Sequence, residues 1–292
     1  MNITTSRVGD IGAWAPVQRV AVAGIDVAVA RQGRGMPVVC LHAIAHGARD
    51  FEPLARRVAD SCEIIAVDWP GHGASGAAVE AASAASYARL LEALLPRLTS
   101  APSVVIGCSI GGAAAIRVAA TRPDLVRALV LCNSGGLLPV DAFTRRATGL
   151  MRSFFAAGAR RARWYRPAFD LYYRMVLPEP PAREQRDRIV EAAYETAPRL
   201  AEAWASFGEP DADLRHLIPS IGQPTLFAWA TKDRILPWWR HRKVAASFRD
   251  HRIALFRGGH AAFLEAPDDF AAAFKEFVAT LDERSAPQAV RA

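Results

Sequence analysis

VVIGCSIGGAA, residues 104–114, is the stretch that decides how this chain is read. An apolar run leads into Gly107-Cys108-Ser109-Ile110-Gly111 and then into small apolar residues. That order predicts a buried strand, a sharp turn and a closely packed helix. A serine at such a turn is lifted out of the sheet onto a strained corner, with its hydroxyl exposed and its backbone N–H near the positive end of the helix. Glycines flank it because a side chain there would collide with the neighbouring strand and helix.

Strand and helix signals continue on both sides. Residues 20–30 alternate around Gly24-Ile25-Asp26 and predict an opening hairpin. Apolar runs at 37–41, 63–67 and 128–132 predict strands, with helices over about 50–59 and 83–98. The pattern resumes with strands at 224–230 and 252–256 and helices near 239–248 and 267–281. Strands this apolar, alternating with helices, imply an α/β fold whose mostly parallel sheet is covered on both faces. Between them, 137–217 is helical in period, rich in arginine and aromatics, and punctuated by prolines. It reads as a helical insertion. Residues 1–136 and 218–292 would then form one discontinuous core, with a frayed tail from about 283.

Composition narrows the class. With 292 residues, 51% hydrophobic and 22% charged, the chain is long enough for one large α/β domain with an insertion. Its first residues lack the basic and apolar regions of a signal peptide, and no run of 18 apolar residues occurs, so a cytoplasmic protein without an integral membrane segment is expected. Cys40, Cys62, Cys108 and Cys132 lie in or beside apolar runs without C-x-x-C spacing, which predicts packed thiols rather than disulfides or zinc ligands. The net charge of +7 is concentrated: Arg145, Arg146, Arg152, Arg160, Arg161, Arg163, Arg166 and Arg174 are opposed in their stretch only by Asp170.

A serine hydroxyl attacks only when a base takes its proton, and a histidine base needs an acid to orient it. Catalytic groups in sheets of this kind sit in loops beyond the carboxyl ends of strands. Asp233 follows the 224–230 strand, and His260, in Gly258-Gly259-His260-Ala261, follows the 252–256 strand. The order serine, acid, histidine emerges.

With these residues in view the chain resembles the α/β-hydrolase family, in its serine branch with a helical lid. The resemblance rests on the Gly107-Cys108-Ser109-Ile110-Gly111-Gly112 elbow, on His42, on Asp68-Trp69-Pro70-Gly71-His72-Gly73-Ala74-Ser75, and on the Asp233 and His260 loops. It implies a predominantly eight-stranded sheet, a lid formed by the insertion, and an oxyanion hole made by the backbone N–H groups of Ile44 and Ile110. The family usually has glycine after the oxyanion-loop histidine, whereas this chain has Ala43, which is strained if that position needs positive φ.

Relatives that cleave carbon–halogen bonds or epoxides carry aspartate at the elbow; Ser109 implies an acyl-enzyme instead. Hydrolysis of an ester, lactone or thioester is the leading expectation. Carbon–carbon bond hydrolysis of a vinylogous diketone, or ligand binding on an inactive scaffold, are the alternatives. No metal and no cofactor are expected, since acyl transfer needs only the triad and oxyanion donors. His42, Trp238, Trp239, Phe154, Trp164 and Tyr172 are candidates for the substrate pocket, although such aromatics also serve as a lid's own core. A largely apolar acyl substrate fits them. The arginine cluster reads as a solvated face, a dock for an acidic carrier protein or anionic substrate, or a membrane-surface patch; nucleic acid is not expected. Residues 179–213, with nine acids against four arginines, could also pair with it.

Overall fold

The computed structural model describes residues 14–285. Eight strands form one sheet in the order β1-β2-β4-β3-β5-β6-β7-β8. β1 (Val17–Val22) and β2 (Ile25–Gly33) make the opening hairpin, and its turn is Ala23-Gly24, both at positive φ (48° and 75°). Two left-handed residues in a row match the right-handed twist of the flanking strands. β2 also pairs antiparallel with β4 (Cys62–Val67), whereas β3 (Met36–Leu41), β5 (Ser103–Cys108), β6 (Val126–Cys132), β7 (Thr225–Ala230) and β8 (His251–Phe256) run parallel to their neighbours. The sheet is therefore mostly parallel with one antiparallel end.

Every residue of β5 and β7 is buried, so both faces of the sheet centre are covered. β8 closes an edge and leaves Ile253 and Leu255 partly exposed. The covering helices include α1 (Glu52–Val58), α2 (Ala84–Leu98), α3 (Ile110–Thr121) and, later in the chain, a long helix at Pro267–Ser285. α2 packs on α3, and α1 packs on that last helix. Sequence reading places the frayed tail from about 283, but helix continues through Ser285. Phe270, Phe274, Phe277 and Leu281 anchor this helix in the core. Residues 286–292 and residues 1–13, on which the expectation of no signal peptide falls, lie outside the described residues.

Between β6 and β7 the described chain has no strand. It forms α4 (Ala142–Ala159), α5 (Tyr165–Val176), α6 (Arg183–Glu191) and α7 (Ala193–Ser206). α4 packs along α7, and Phe155, Tyr165 and Phe169, all fully buried, form the apolar centre of this helical layer. α8 (Trp238–Ala245) and α9 (Ala262–Glu265) complete the fold ahead of the last helix, α10 (Pro267–Ser285).

The β5–α3 corner is tightly packed. A Cβ on Gly107 would lie 2.6 Å from the carbonyl oxygen of Gly111 and 2.6 Å from Gly112 Cα. Both obstacles are backbone and cannot swing away. Gly107→Ala should therefore lower unfolding free energy by about 1–3 kcal/mol, the usual cost of overpacking; urea denaturation of the two proteins measures it.

Candidate active site

Ser109 occupies that corner with φ 54° and ψ −116°, a conformation non-glycine residues rarely adopt. Its N–H donates to Cys132 O at 3.1 Å, and its carbonyl accepts from Ala113 at 3.1 Å and Gly135 at 3.0 Å, so three backbone bonds hold the strained residue. The geometry exposes the side chain toward a cavity of about 970 Å³ lined by Ser109, His260, Ile44 and Ile110, among others. Ile110 opens α3, so its N–H lacks an intrahelical acceptor and is free for a ligand oxygen. The preceding Cys108 points into the sheet: it is fully buried, and its thiol donates to the carbonyl of His260 at 3.5 Å. Burial pushes that thiol well above its ordinary pKa, which keeps it a thiol.

His260 and Asp233 form a buried pair, His260 Nδ1 donating to Asp233 Oδ2 at 2.8 Å. A carboxylate can only accept, so the proton sits on Nδ1 and Nε2 is left with a lone pair that can take up a proton. Asp233 Oδ2 accepts a second bond from Asn133 Nδ2 at 2.6 Å, while Oδ1 accepts from the N–H groups of Ile235 (2.7 Å) and Leu236 (3.0 Å). Burial alone would raise the carboxyl pKa, but the charge and hydrogen bond of His260, with the two backbone donors, outweigh it and hold Asp233 below the usual carboxylate value. The reciprocal holds for the imidazole. Burial pulls it down, yet the Asp233 charge and hydrogen bond prevail and hold His260 above its ordinary 6.5.

Glu265, on α9, supports the histidine loop. Its Oε2 accepts from Gly259 at 2.8 Å and Ala261 at 3.2 Å, bracketing His260 from both sides, and its Oε1 accepts from Glu179 at 3.2 Å. His260 N–H donates to Val176 O at 2.8 Å, which ties the loop to the end of α5.

The 42–48 loop is braced from beneath by the 68–75 segment. Trp69 N–H donates to His42 Nε2 (3.0 Å), its indole donates to His42 O (2.9 Å), Ala45 N–H donates to His72 Nε2 (3.2 Å) and Ala48 N–H donates to Asp68 Oδ1 (2.7 Å). Burial lifts Asp68 to about 7 despite its backbone donors. His72 is driven down to about 4 by burial and serves Ala45 as a neutral acceptor. The backbone strain anticipated at Ala43 lies two residues on, at Ala45, whose φ is 65°.

Four of the sequence candidates for the pocket stand outside the cavity lining. His42 is fully buried, with Nδ1 on its neighbour's carbonyl and Nε2 on Trp69, so it supports the loop; with both nitrogens engaged it offers no metal site with His46. Trp238 packs against Trp229, with ring centroids 5.5 Å apart. Phe154 sits among Phe155, Tyr165 and Trp164 within the helical layer, and Trp164 is 54% exposed. Tyr172 and Trp239 do line the cavity. Trp204 and Phe207, two of the insertion's aromatics that sequence reading allows as an apolar acyl pocket, join them from α7 and the residue after it. Sequence reading missed Thr144 and Thr148, which line the cavity from α4. It also missed the supporting roles of Asn133 and Glu265; their signals are only their places, directly after β6 and five residues past His260.

A serine on a strained strand–helix corner that shares a cavity with an acid-paired histidine has the layout of a serine hydrolase site. The model of the alpha/beta hydrolase family matches residues 38–273. The chain belongs to that family. It is 28% identical over 255 residues to a pimeloyl-[acyl-carrier protein] methyl ester esterase of Stenotrophomonas maltophilia, covering 85% of this chain and 95% of the relative. It is 29% identical over 258 residues to a protein of the same name from Xanthomonas oryzae pv. oryzae, covering 85% and 97%. Among solved structures, a thermophilic esterase from Thermogutta terrifontis superposes with a TM-score of 0.78 at 20% identity, covering 91% of this chain and 99% of its own. The enol-lactonase of Burkholderia xenovorans LB400 gives 0.75 at 19% identity, covering 90% and 100%.

The pair dictates a pH profile. Because Nε2 must be unprotonated, ester kcat/KM should rise with pH along a limb centred above 6.5 and then level off. Asp233→Asn should lower kcat by about 10⁴-fold, because the wrong tautomer is then favoured. Initial rates from pH 5 to 9 check both.

Proposed function

We propose that this chain hydrolyses a carboxylic ester through an acyl-enzyme on Ser109. The observation that carries the reading is one cavity lined by Ser109, His260, Ile44 and Ile110, with Asp233 behind the histidine. His260 Nε2 takes the hydroxyl proton as Ser109 Oγ attacks the ester carbonyl, and the N–H groups of Ile44 and Ile110 hold the oxyanion. Collapse of the tetrahedral adduct breaks the bond to the alkoxy oxygen, which leaves as the alcohol with that proton. Water then attacks the acyl carbonyl with His260 again as base, and Ser109 is regenerated. Asp233 stays ionised throughout and orients the imidazole.

The cavity volume, at the upper end of what small-molecule sites span, and walls such as Leu137, Met151, Val176, Leu200 and Phe207 support a largely apolar acyl group. In this reading 137–217 is a cap on the core formed by 1–136 and 218–292. The relatives' names support an acyl chain delivered on a carrier protein, and the arginine cluster suits one with an acidic surface. Arg145, Arg146, Arg152, Arg160, Arg161, Arg163 and Arg166 are all exposed. Among the described residues one ion pair, Arg161–Glu195 at 3.3 Å, joins this cluster to the acid-rich 179–213 stretch, which leaves most of its charge available to a partner. Exposed Phe143 and Trp239 line the same cavity, and exposed Leu150 lies on α4 one turn after Arg146. No helix of the described residues is long and apolar enough to cross a membrane. The four buried, unpaired thiols suit a reducing compartment such as the cytoplasm.

Ser109→Ala should lower kcat on p-nitrophenyl butyrate by about 10⁴-fold or more and abolish labelling by a fluorophosphonate. Faster turnover of a dienoate ring-fission diketone than of any ester would overturn the ester reading. The charge reversals Arg152→Glu and Arg163→Glu together should raise KM about tenfold for a methyl ester carried on an acyl carrier protein, while KM for p-nitrophenyl butyrate stays within about twofold.

A further inference from the structure

His46 and Asp50 form a second buried histidine–carboxylate pair, and its histidine lines the same cavity as Ser109. Each residue is only 1% exposed, and His46 Nδ1 meets Asp50 Oδ2 at 2.5 Å. The hydrolytic steps above use neither. Asp68 ties its loops together by accepting backbone N–H bonds on both carboxyl oxygens. Asp50 differs: its Oδ1 has no hydrogen-bond partner among the described residues, and the interaction described for its side chain is with the His46 ring.

Position follows from the chain. His46 N–H donates to Ala43 O at 3.1 Å, closing a tight turn whose third residue is the strained Ala45. Two peptide steps of about 3.8 Å limit the Cα separation of Ile44 and His46 to roughly 7.6 Å. His46 therefore belongs to the same turn, and lines the same cavity, as the donor proposed to hold the ester oxygen. Orientation follows from chemistry. With Nδ1–H directed at Asp50, the tautomer so fixed carries its lone pair at Nε2. Ile44, Ile110 and Val176 line the cavity with it, and Tyr173 packs near the ring, with centroids 6.0 Å apart. An acceptor set among apolar side chains discriminates for a hydrogen-bond donor, because an analogue lacking that donor leaves the acceptor unpaired.

Building on the ester-hydrolase reading, we propose that His46 is a specificity-determining residue that accepts a hydrogen bond from a hydroxyl carried by the substrate close to its scissile carbonyl. Asp50 is the positioning residue that holds the ring and its tautomer. The hydroxyl can belong to the acyl chain or to the alcohol, and matched substrate pairs separate the two. Methyl 3-hydroxybutyrate against methyl butyrate tests the acyl side; 2-hydroxyethyl butyrate against propyl butyrate tests the alcohol side.

The wild-type protein should favour the hydroxylated member of one pair by about tenfold or more in kcat/KM, the scale of one net hydrogen bond. His46→Ala and Asp50→Asn should bring that ratio close to one. His46→Gln, which retains an acceptor, should keep part of it. Should His46→Ala fail to fold by circular dichroism, the near-isosteric Asp50→Asn carries the same readout. A wild-type ratio near one in both pairs, or a ratio that survives His46→Ala, overturns the proposal. Turnover of the unsubstituted esters and fluorophosphonate labelling of Ser109 report separately on the parent reading, so the two failures are distinguishable.

Discussion

Ser109 is held at φ 54° and ψ −116°, and the rest of the site is built around keeping it there. A residue in so sparsely populated a region costs on the order of 1–3 kcal/mol, and it persists only where its surroundings over-determine it. Here they do so by backbone alone. β6 supplies the acceptor for its N–H, α3 and Gly135 supply donors to its carbonyl, and Gly107, Gly111 and Gly112 let strand and helix approach closer than any side chain permits. The gain is a hydroxyl standing clear of the sheet at the positive end of a helix.

The other groups are held by buried side chains rather than by strain. Glu265 brackets the His260 loop through the amides on either side of the histidine. Asn133 and two backbone amides hold Asp233, so its carboxylate is ionised and aimed before any substrate arrives. Asp68, Trp69 and His72 brace the loop that presents Ile44. A common logic runs through the three. A polar atom kept out of water must be paired, so each buried acceptor fixes the backbone it binds. That preorganisation keeps the site rigid even though it is assembled from loops.

Ties between the helical segment and the rest of the fold include Val176 O with the His260 amide, Glu202 with the Ala82 amide and the Lys232–Glu179 ion pair. The segment's arginines from 145 to 174 face solvent while its aromatics divide, Phe155 and Phe169 inward to its own centre and Tyr172, Trp204 and Phe207 to the cavity. The division is invisible in a run of mixed aromatics. Which side of a helix meets a cavity depends on how neighbouring helices are rotated, and no local pattern encodes that rotation.

What the sequence determined by itself is whatever local physics controls. Apolar runs placed all eight strands within about three residues, and glycine placement marked the Ser109 corner. The spacing of Asp233 and His260 behind successive strands named a pair that the fold brings to 2.8 Å, 27 residues apart in the chain. What tertiary structure alone decided is which polar groups share a burial site. His42 seemed a pocket residue until Trp69 was seen to take both its ring nitrogen and its carbonyl, and His46 gained a role only once Asp50 and the cavity stood beside it. A strand or turn is set by neighbours along the chain. The partner of a buried histidine is set by whatever folding brings against it.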